Sequence, residues 1–347
     1  MAADHEALRE LLGVWAVGAG MPGDEDRVLA HLADCAACAA EAGRLRATVR
    51  LLDGGADAGP GRVGRRMLDA ALRSRPAAQG VAAHAAPYAA AVAGLEALLR
   101  ELGERGPWGT PVIHDWDVHG TVAHLVAADE PLAAHLGLQP RVPAPGAAGA
   151  PADAPTGKWQ DGWEARTAAV IAYEHRREPV ETFATWRDQA RTLLATRAAH
   201  DLELAAGATE LMGLRLPVTD HFLIRAFETW VHTDDIGRAL GRSVPPPLDA
   251  HLSRLVGLGV RILDLALGRR ATPVLLAIAG PGPDRYGEEW VLGSDAEPVA
   301  AELVLDPVDF CLLLGGRYAP DEVPRGIGGD PLAATAVLEL AASLAWL

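Results

Sequence analysis

Two histidines and two cysteines are the residues most able to do chemistry in the first 40 positions. In HLADCAAC, His31 and Cys35 are four residues apart, so in a helix they share one face, and Cys38 follows three residues later. Thiolates and an imidazole suit Zn²⁺ in tetrahedral geometry. His5, the only histidine upstream, can supply a fourth ligand. The spacing predicts a closed, structural zinc site; the alternative is that the two cysteines are small core residues.

A second group of possible ligands lies in two distant segments. FETWVHTDD places Glu228 and His232 four residues apart, on one helix face, and Asp235 continues that face. His124, in DWDVHGTVAHLV, can come from a facing helix. Two imidazoles and one carboxylate would make an open three-ligand site, the arrangement of catalytic zinc. Two alternatives stay open: Glu228 and His232 are a solvated surface pair, or the nearby His119 takes the place of His124.

The composition restricts the partners. The 347 residues carry 31 lysines and arginines against 46 acidic residues, a formal net charge of −15. Such a charge argues against general binding of nucleic acid or an anionic membrane surface. The start lacks the apolar core of a signal sequence, no apolar run is long enough to cross a membrane, and three cysteines make no disulfide framework. We therefore expect a cytoplasmic protein with no direct nucleic-acid or membrane partner.

The apolar pattern predicts a mainly α chain with a mixed C-terminal part. Short helices are expected over 5–18 and 25–52, separated by GMPGDED, in a small zinc-bound module of residues 1–55. Residues 56–84 form a Gly- and Ala-rich linker with one possible helix, RRMLDAALRSR. Four long helical regions over 85–243, one of them broken near Pro179, predict an antiparallel four-helix bundle. Residues 244–347 combine helices with the strand-like runs TPVLLAIAG, EEWVLG and AELVLD, an α+β pattern, and GIGGDP is expected to be a turn.

The N-terminal pattern resembles the zinc-binding anti-sigma factor family. A histidine, 25 intervening residues and H-x-x-x-C-x-x-C correspond here to His5, His31, Cys35 and Cys38, over about the first 55 residues. The resemblance implies a small helical module, held together by zinc, that binds a sigma factor. Some soluble members release that partner when their cysteines are oxidised. Because the first ligand here is a histidine, a disulfide would have to join Cys35 to Cys38 or involve Cys311.

The rest of the chain, about 85–347, is similar to the mycothiol-dependent maleylpyruvate isomerase family, a branch of the DinB-like metal-binding bundles. The resemblance is carried by WDVHGTVAHL, by FETWVHTDDIGRALG, and by VLDPVDFCLLLGGRY followed by GGDPLAATAVL. It implies zinc ligands at His124, Glu228 and His232, with Asp235 hydrogen-bonded to a ligand.

The implied chemistry is the activation of a thiol. Zinc in an open site would bind mycothiol and favour its thiolate, for use in an isomerisation or a thiol transfer. Arg317, in the GGRY turn, is the cation expected to bind a carboxylate substrate or the cofactor; a surface arginine at a helix end is the alternative. Cys311, in an apolar run, is expected to be buried and inert.

Three functions remain open. The first, which the complete zinc motif favours, is an anti-sigma-type regulator whose large domain binds a thiol-linked ligand, with or without processing it. The second is a mycothiol-dependent isomerase or thiol transferase with an appended structural zinc module. The third is a metal-binding scaffold without turnover. All three predict two zinc ions per chain.

Overall fold

A computed structural model describes residues 2–16, 24–52, 80–143, 159–280 and 287–344. The chain divides into two compact units, residues 1–76 and 77–347. The predicted linker helix RRMLDAALRSR lies outside the described residues. The predicted boundary between residues 243 and 244, within the larger unit, stays a prediction. No helix in the described ranges has both the length and the apolar character needed to cross a membrane.

The described part of the small unit contains three helices, α1 (Ala2–Ala16), α2 (Asp24–Asp34) and α3 (Ala36–Leu52), and each contacts the other two. Acidic residues fill the first turn of α2, where they interact favourably with the helix dipole. The predicted helix over 25–52 is interrupted at Cys35, which joins α2 to α3. The apolar contacts are centred on Leu12, Trp15 and Val28. Cys38 is buried with them, so this small core includes one of the predicted ligands.

The larger unit begins with helices and ends with a sheet. Its helices are α4 (Ala86–Leu102), α5 (Val118–His135), α6 (Trp159–Glu174), α7 (Pro179–Leu194), α8 (Leu202–Ala205), α9 (Val218–Ala239), α10 (Asp249–Leu267), α11 (Pro307–Leu314) and α12 (Pro331–Ser343). Its strands are β1 (Pro111–Ile113), β2 (Trp116–Asp117), β3 (Ala208–Leu211), β4 (Leu214–Pro217), β5 (Val274–Ile278), β6 (Glu288–Leu292), β7 (Ala301–Leu305) and β8 (Arg325–Gly329). Two short hairpins, β1–β2 and β3–β4, precede α5 and α9 and are absent from the sequence-based assignment.

Local sequence signals set the helix boundaries near the second ligand group. The Asp117 side chain accepts a hydrogen bond from the backbone N–H of Gly120 at 2.7 Å. Asp117 is therefore the N-cap residue of α5, and the helix itself begins at Val118. The break predicted near Pro179 is confirmed, because α6 ends at Glu174 and α7 begins at Pro179. Proline fits a first helical turn, where its missing N–H is not needed.

Four helices of the larger unit contact one another in a closed ring. Helix α4 packs on α7 and α9, α5 packs on the same two helices, and α6 packs against α5. The side chains of Tyr88, Trp186 and Phe222 are fully buried in the core that these helices share. The ring places α5 beside α9, so ligands on these two helices can meet. That it is a DinB-like bundle stays a prediction.

The C-terminal part contains a four-stranded sheet in the order β6–β5–β7–β8. Strands β5 and β7 run parallel, and the other two neighbouring pairs are antiparallel. Alternate residues of β7 are buried, as expected for a sheet with one covered face. The three predicted strand-like runs form β5, β6 and β7. The prediction that GIGGDP is a turn was wrong: Gly326–Gly329 belong to β8, which pairs with β7 despite its glycines.

Candidate metal sites

The small unit brings His5, His31, Cys35 and Cys38 together, with all their ligand atoms within 4.8 Å of one another. Nδ1 of His5 lies 3.2 Å from Nε2 of His31 and 4.0 Å from the Sγ atom of each cysteine. Each helix contributes: His5 comes from α1, His31 from α2 and Cys38 from α3. Cys35 joins the last two helices, and the break there lets both sulfurs face the same point.

The two thiols of this cluster differ. The backbone N–H of Cys38 lowers the pKa of the Cys35 thiol, whereas burial raises the pKa of the Cys38 thiol. Neither forms a disulfide. Two sulfurs and two imidazole nitrogens at this spacing are the donor set of a closed tetrahedral zinc site. Such a site holds helices together and leaves no position for a substrate.

The larger unit brings His124, Glu228 and His232 together in the same way. All three are buried, and Nε2 of His124 lies 2.7 Å from Oε1 of Glu228. The alternative that Glu228 and His232 form a solvated surface pair was therefore wrong. Nδ1 of His124 is also buried, and no described residue hydrogen-bonds to it. Two imidazoles and one carboxylate fit zinc, and the group leaves room for a fourth ligand.

His119 does not join this cluster. Its Nε2 lies 2.7 Å from Oγ1 of Thr182 on α7, and that hydroxyl donates to Oε2 of Glu174 at 2.8 Å. Its ring also faces that of His175, with the centroids 4.8 Å apart. Burial lowers the pKa of His119. The structure thus places His124, and not His119, beside Glu228 and His232 of α9.

Asp235 and Arg317 support His232 from the side away from the cluster. Nδ1 of His232 lies 3.1 Å from Oδ2 of Asp235 and 3.4 Å from Nη2 of Arg317, and Nε of Arg317 donates to Oδ1 of Asp235 at 3.1 Å. Burial alone would raise the pKa of Asp235, but the hydrogen bonds from His232 and Arg317 lower it to about 2. Burial lowers the pKa of His232 to about 4. The imidazole is therefore neutral at pH 7, and because Nδ1 faces Asp235, Nε2 is the nitrogen that would bind a metal.

Arg317 lies buried beside Asp235. Its side chain is only 7% exposed, so it is not a surface arginine. Its guanidinium binds Asp235 on one side and the carbonyl oxygen of Gly315 on another. Asp235 is therefore a partner of the Arg317 guanidinium within the protein. Direct binding of a substrate carboxylate by Arg317 stays a prediction.

A second buried arginine lies behind Glu228. Arg225, three residues earlier on α9, contacts Oε2 of Glu228 as an ion pair, although the two groups lack the alignment of a hydrogen bond. Burial would raise the pKa of Glu228, but Arg225 and His124 hold it well below its usual range. Nearby, Tyr88 donates to Asp129 at 2.7 Å, and burial raises the pKa of Asp129 to about 7. The sequence does not predict the roles of Arg225, Tyr88 and Asp129, because only their burial in the folded protein distinguishes them.

The β1–β2 hairpin covers the cluster with aromatic rings. His114 and Asp115, its turn residues, both have left-handed backbones, with φ angles of 53° and 61°. Two consecutive left-handed residues form a tight hairpin turn, for which Asn-Gly is the usual sequence. His-Asp is uncommon there, so the sequence contains little indication of this hairpin. The turn brings Trp116 onto His124, with ring centroids 4.6 Å apart at 28°. The ring centroids of His114 and Trp116 are 5.4 Å apart. Burial lowers the pKa of His114, and the positive charge of Arg317 lowers it further.

A groove lies beside the cluster. The Trp163 ring approaches His124 edge-on, with centroids 6.0 Å apart, and it also lines a groove of about 340 Å³. Trp159, Met212 and the ion-paired Arg166 and Glu130 form other parts of its wall. This volume is within the range of small-molecule sites.

No protein-family model and no curated protein matches the chain. Two solved structures are similar to it: a mycothiol-dependent maleylpyruvate isomerase, at 14% identity, and a histidine-to-alanine mutant of such an enzyme, at 13%. Each likeness has a TM-score of 0.47 and covers 70% of this chain and 91% of the other. We draw no functional conclusion from a likeness at this level.

Proposed function

We propose that the larger unit is a zinc-dependent enzyme that activates a small thiol, with mycothiol as the thiol and isomerisation or thiol transfer as the reaction. The observation that carries this proposal is the meeting of His124, Glu228 and His232 in one buried cluster. A three-residue donor set is typical of catalytic zinc, because one position stays free for a water or substrate.

The protein's own residues would each have a distinct task. Zinc held by the three ligands would lower the pKa of a thiol in the remaining position, giving a nucleophile at neutral pH. Asp235 keeps Nε2 of His232 unprotonated and correctly oriented. Trp116 covers His124 and excludes water from that side. The groove beside Trp163 is large enough for the rest of a thiol-bearing molecule.

The choice of mycothiol rests on the sequence resemblance of WDVHGTVAHL and FETWVHTDDIGRALG to the maleylpyruvate isomerase signatures. The test is to measure zinc content and mycothiol-dependent conversion of maleylpyruvate by the purified protein and by His232→Ala. His135→Ala is the matched control, because His135 is exposed and ends the helix that carries His124. We expect His232→Ala to lose one zinc ion and all thiol-dependent turnover. Full zinc retention by His232→Ala would disprove the proposal.

The small unit supports a second candidate function, binding of a sigma factor. Its four ligands would close around zinc, so the metal would be structural, and Val14 and Leu29 leave apolar surface exposed on α1 and α2. The sequence pattern favours this function, but a closed structural site supports it only indirectly, through the surface that the helices present, so we place it second. Co-expression with sigma factors encoded beside the protein tests it: a stable complex lost in Cys38→Ser supports it, and no complex with any of them rejects it.

A further inference from the structure

We propose that Arg225 is a positioning residue that restricts Glu228 to one metal-binding oxygen and so keeps the fourth coordination position open. This inference rests on the proposed function, because it requires that Glu228 binds a metal. It concerns a residue that would touch neither the metal nor the thiol.

The two oxygens of Glu228 have different partners. Oε1 lies 2.7 Å from Nε2 of His124 and so faces the ligand cluster, whereas Oε2 contacts Nη2 of Arg225. Arg225 and Glu228 are each only 4% exposed in their side chains. Water therefore does not compete for Oε2, and the guanidinium cannot lose its proton to release it.

The position of the pair argues against a purely structural role. Buried ion pairs seldom add net stability, because removing both charges from water costs about as much as their attraction returns. Here the pair is formed by a carboxylate that also belongs to the ligand cluster. Asp129, another buried carboxyl on α5, has its own hydrogen bond from Tyr88 at 2.7 Å. The charge of Arg225 also acts on Asp129, but its ion-pair contact is with Glu228, the carboxylate of the ligand cluster.

A carboxylate can bind a metal through one oxygen or through both. Two bound oxygens would give His124, Glu228 and His232 four donor atoms in total and would fill a tetrahedral shell. A cation on Oε2 opposes this, because a divalent metal and a guanidinium would then share one oxygen. It also weakens the negative charge of Glu228, so that a bound metal polarises a thiol more strongly.

The experiment replaces zinc with cobalt(II), whose visible absorption reports coordination number, and adds 2-mercaptoethanol as the probe thiol. The spectrum of His232→Ala, which retains only the small unit's cobalt, is subtracted from each spectrum. We expect Arg225→Met to shift the cobalt spectrum toward higher coordination and to weaken thiol binding by about tenfold or more. Arg225→Lys retains the charge and is expected to remain near the wild type. Arg238→Met, an exposed arginine on the same helix, is the matched control.

Each outcome decides the question. If Arg225→Met binds cobalt with the wild-type spectrum and thiol affinity, the role of Arg225 is disproved while the proposed function stands. If the wild-type larger unit binds no cobalt, both proposals fail. Should Arg225→Met not fold, a crystal structure of the zinc-loaded wild-type protein decides: one Glu228 oxygen at bonding distance supports the inference, and two overturn it.

Discussion

Nδ1 of His232 and Oδ2 of Asp235 lie 3.1 Å apart as a buried ion-pair contact, one turn apart on the same helix. Because Nδ1 faces this carboxylate, Nε2 is the nitrogen of His232 that would bind a metal together with His124 and Glu228. The carboxylate is in turn held by Arg317. Two charged groups, Asp235 and Arg317, thus lie beside one imidazole, and each can be changed separately.

We expect Asp235→Asn to weaken zinc binding in the larger unit by 10- to 100-fold, because the amide no longer stabilises the Nδ1-protonated ligand through a charge. Competition with a chromophoric chelator measures the affinity. Asp295→Asn, an exposed aspartate paired with Arg269, is the control. Unchanged zinc affinity in Asp235→Asn would show that the hydrogen bond does not orient His232.

Arg317→Met separates two roles for this arginine. If Arg317 acts through Asp235, its replacement lowers zinc affinity by about tenfold, and combining it with Asp235→Asn adds little further loss. If Arg317 binds a substrate carboxylate, as the sequence predicts, KM rises while zinc affinity stays constant. Zinc affinity of the two single variants and the double variant, measured beside KM, distinguishes the two results.

The three cysteines should react in a fixed order when the metal is removed. The pKa of Cys35 is lowered by the backbone N–H of Cys38, that of Cys38 is raised by burial, and that of Cys311 is raised strongly by complete burial. We expect Cys35 to be alkylated about tenfold faster than Cys38, and Cys311 only after unfolding. Iodoacetamide labelling followed by peptide mass spectrometry measures the rates. Zinc should protect Cys35 and Cys38 but not alter Cys311, and faster labelling of Cys38 would contradict the prediction.

Asp129 should make stability depend on pH. Its pKa is raised from an ordinary value of 3.8 to about 7 in the folded protein, because burial disfavours the charged form. Between these values the folded state binds more protons than the unfolded state, so stability falls as pH rises. Asp129→Asn removes this loss and retains an acceptor for Tyr88.

We therefore expect the unfolding free energy of Asp129→Asn, relative to wild type, to increase by about 3 kcal/mol between pH 5 and pH 8. Urea unfolding of the metal-free proteins, followed by the transition of the larger unit, measures the difference. Asp295→Asn serves again as the exposed control. A difference that stays constant over this pH range would show that Asp129 titrates normally.

The helices that carry the candidate ligands could be predicted because their signals are local. Four-residue spacing places Glu228 and His232 on one face, and Pro179 ends one helix region and begins the next. The meeting of His124 with this pair depends on helix packing between residues 104 apart, which spacing alone does not determine. The sequence resemblance supplied that part of the prediction.

The missed features share a physical cause. β8 contains three glycines among its five residues, and it is a strand because β7 offers it hydrogen bonds. Arg225 and Asp129 resemble ordinary helix-surface residues in the sequence, and only the packed structure shows that they are buried. The pairing of Arg317 with Asp235 could not be predicted either, because the two residues are 82 positions apart. In each case a contact between distant residues decided the outcome.

The β1–β2 hairpin has a consequence for how such a protein can diversify. It carries Trp116 and His114 over the candidate metal site, yet all three candidate ligands belong to α5 and α9. Insertions or substitutions at its turn can therefore reshape the space above the site while the ligand geometry is inherited unchanged. The residues above the candidate site can thus change independently of the residues that would hold a metal.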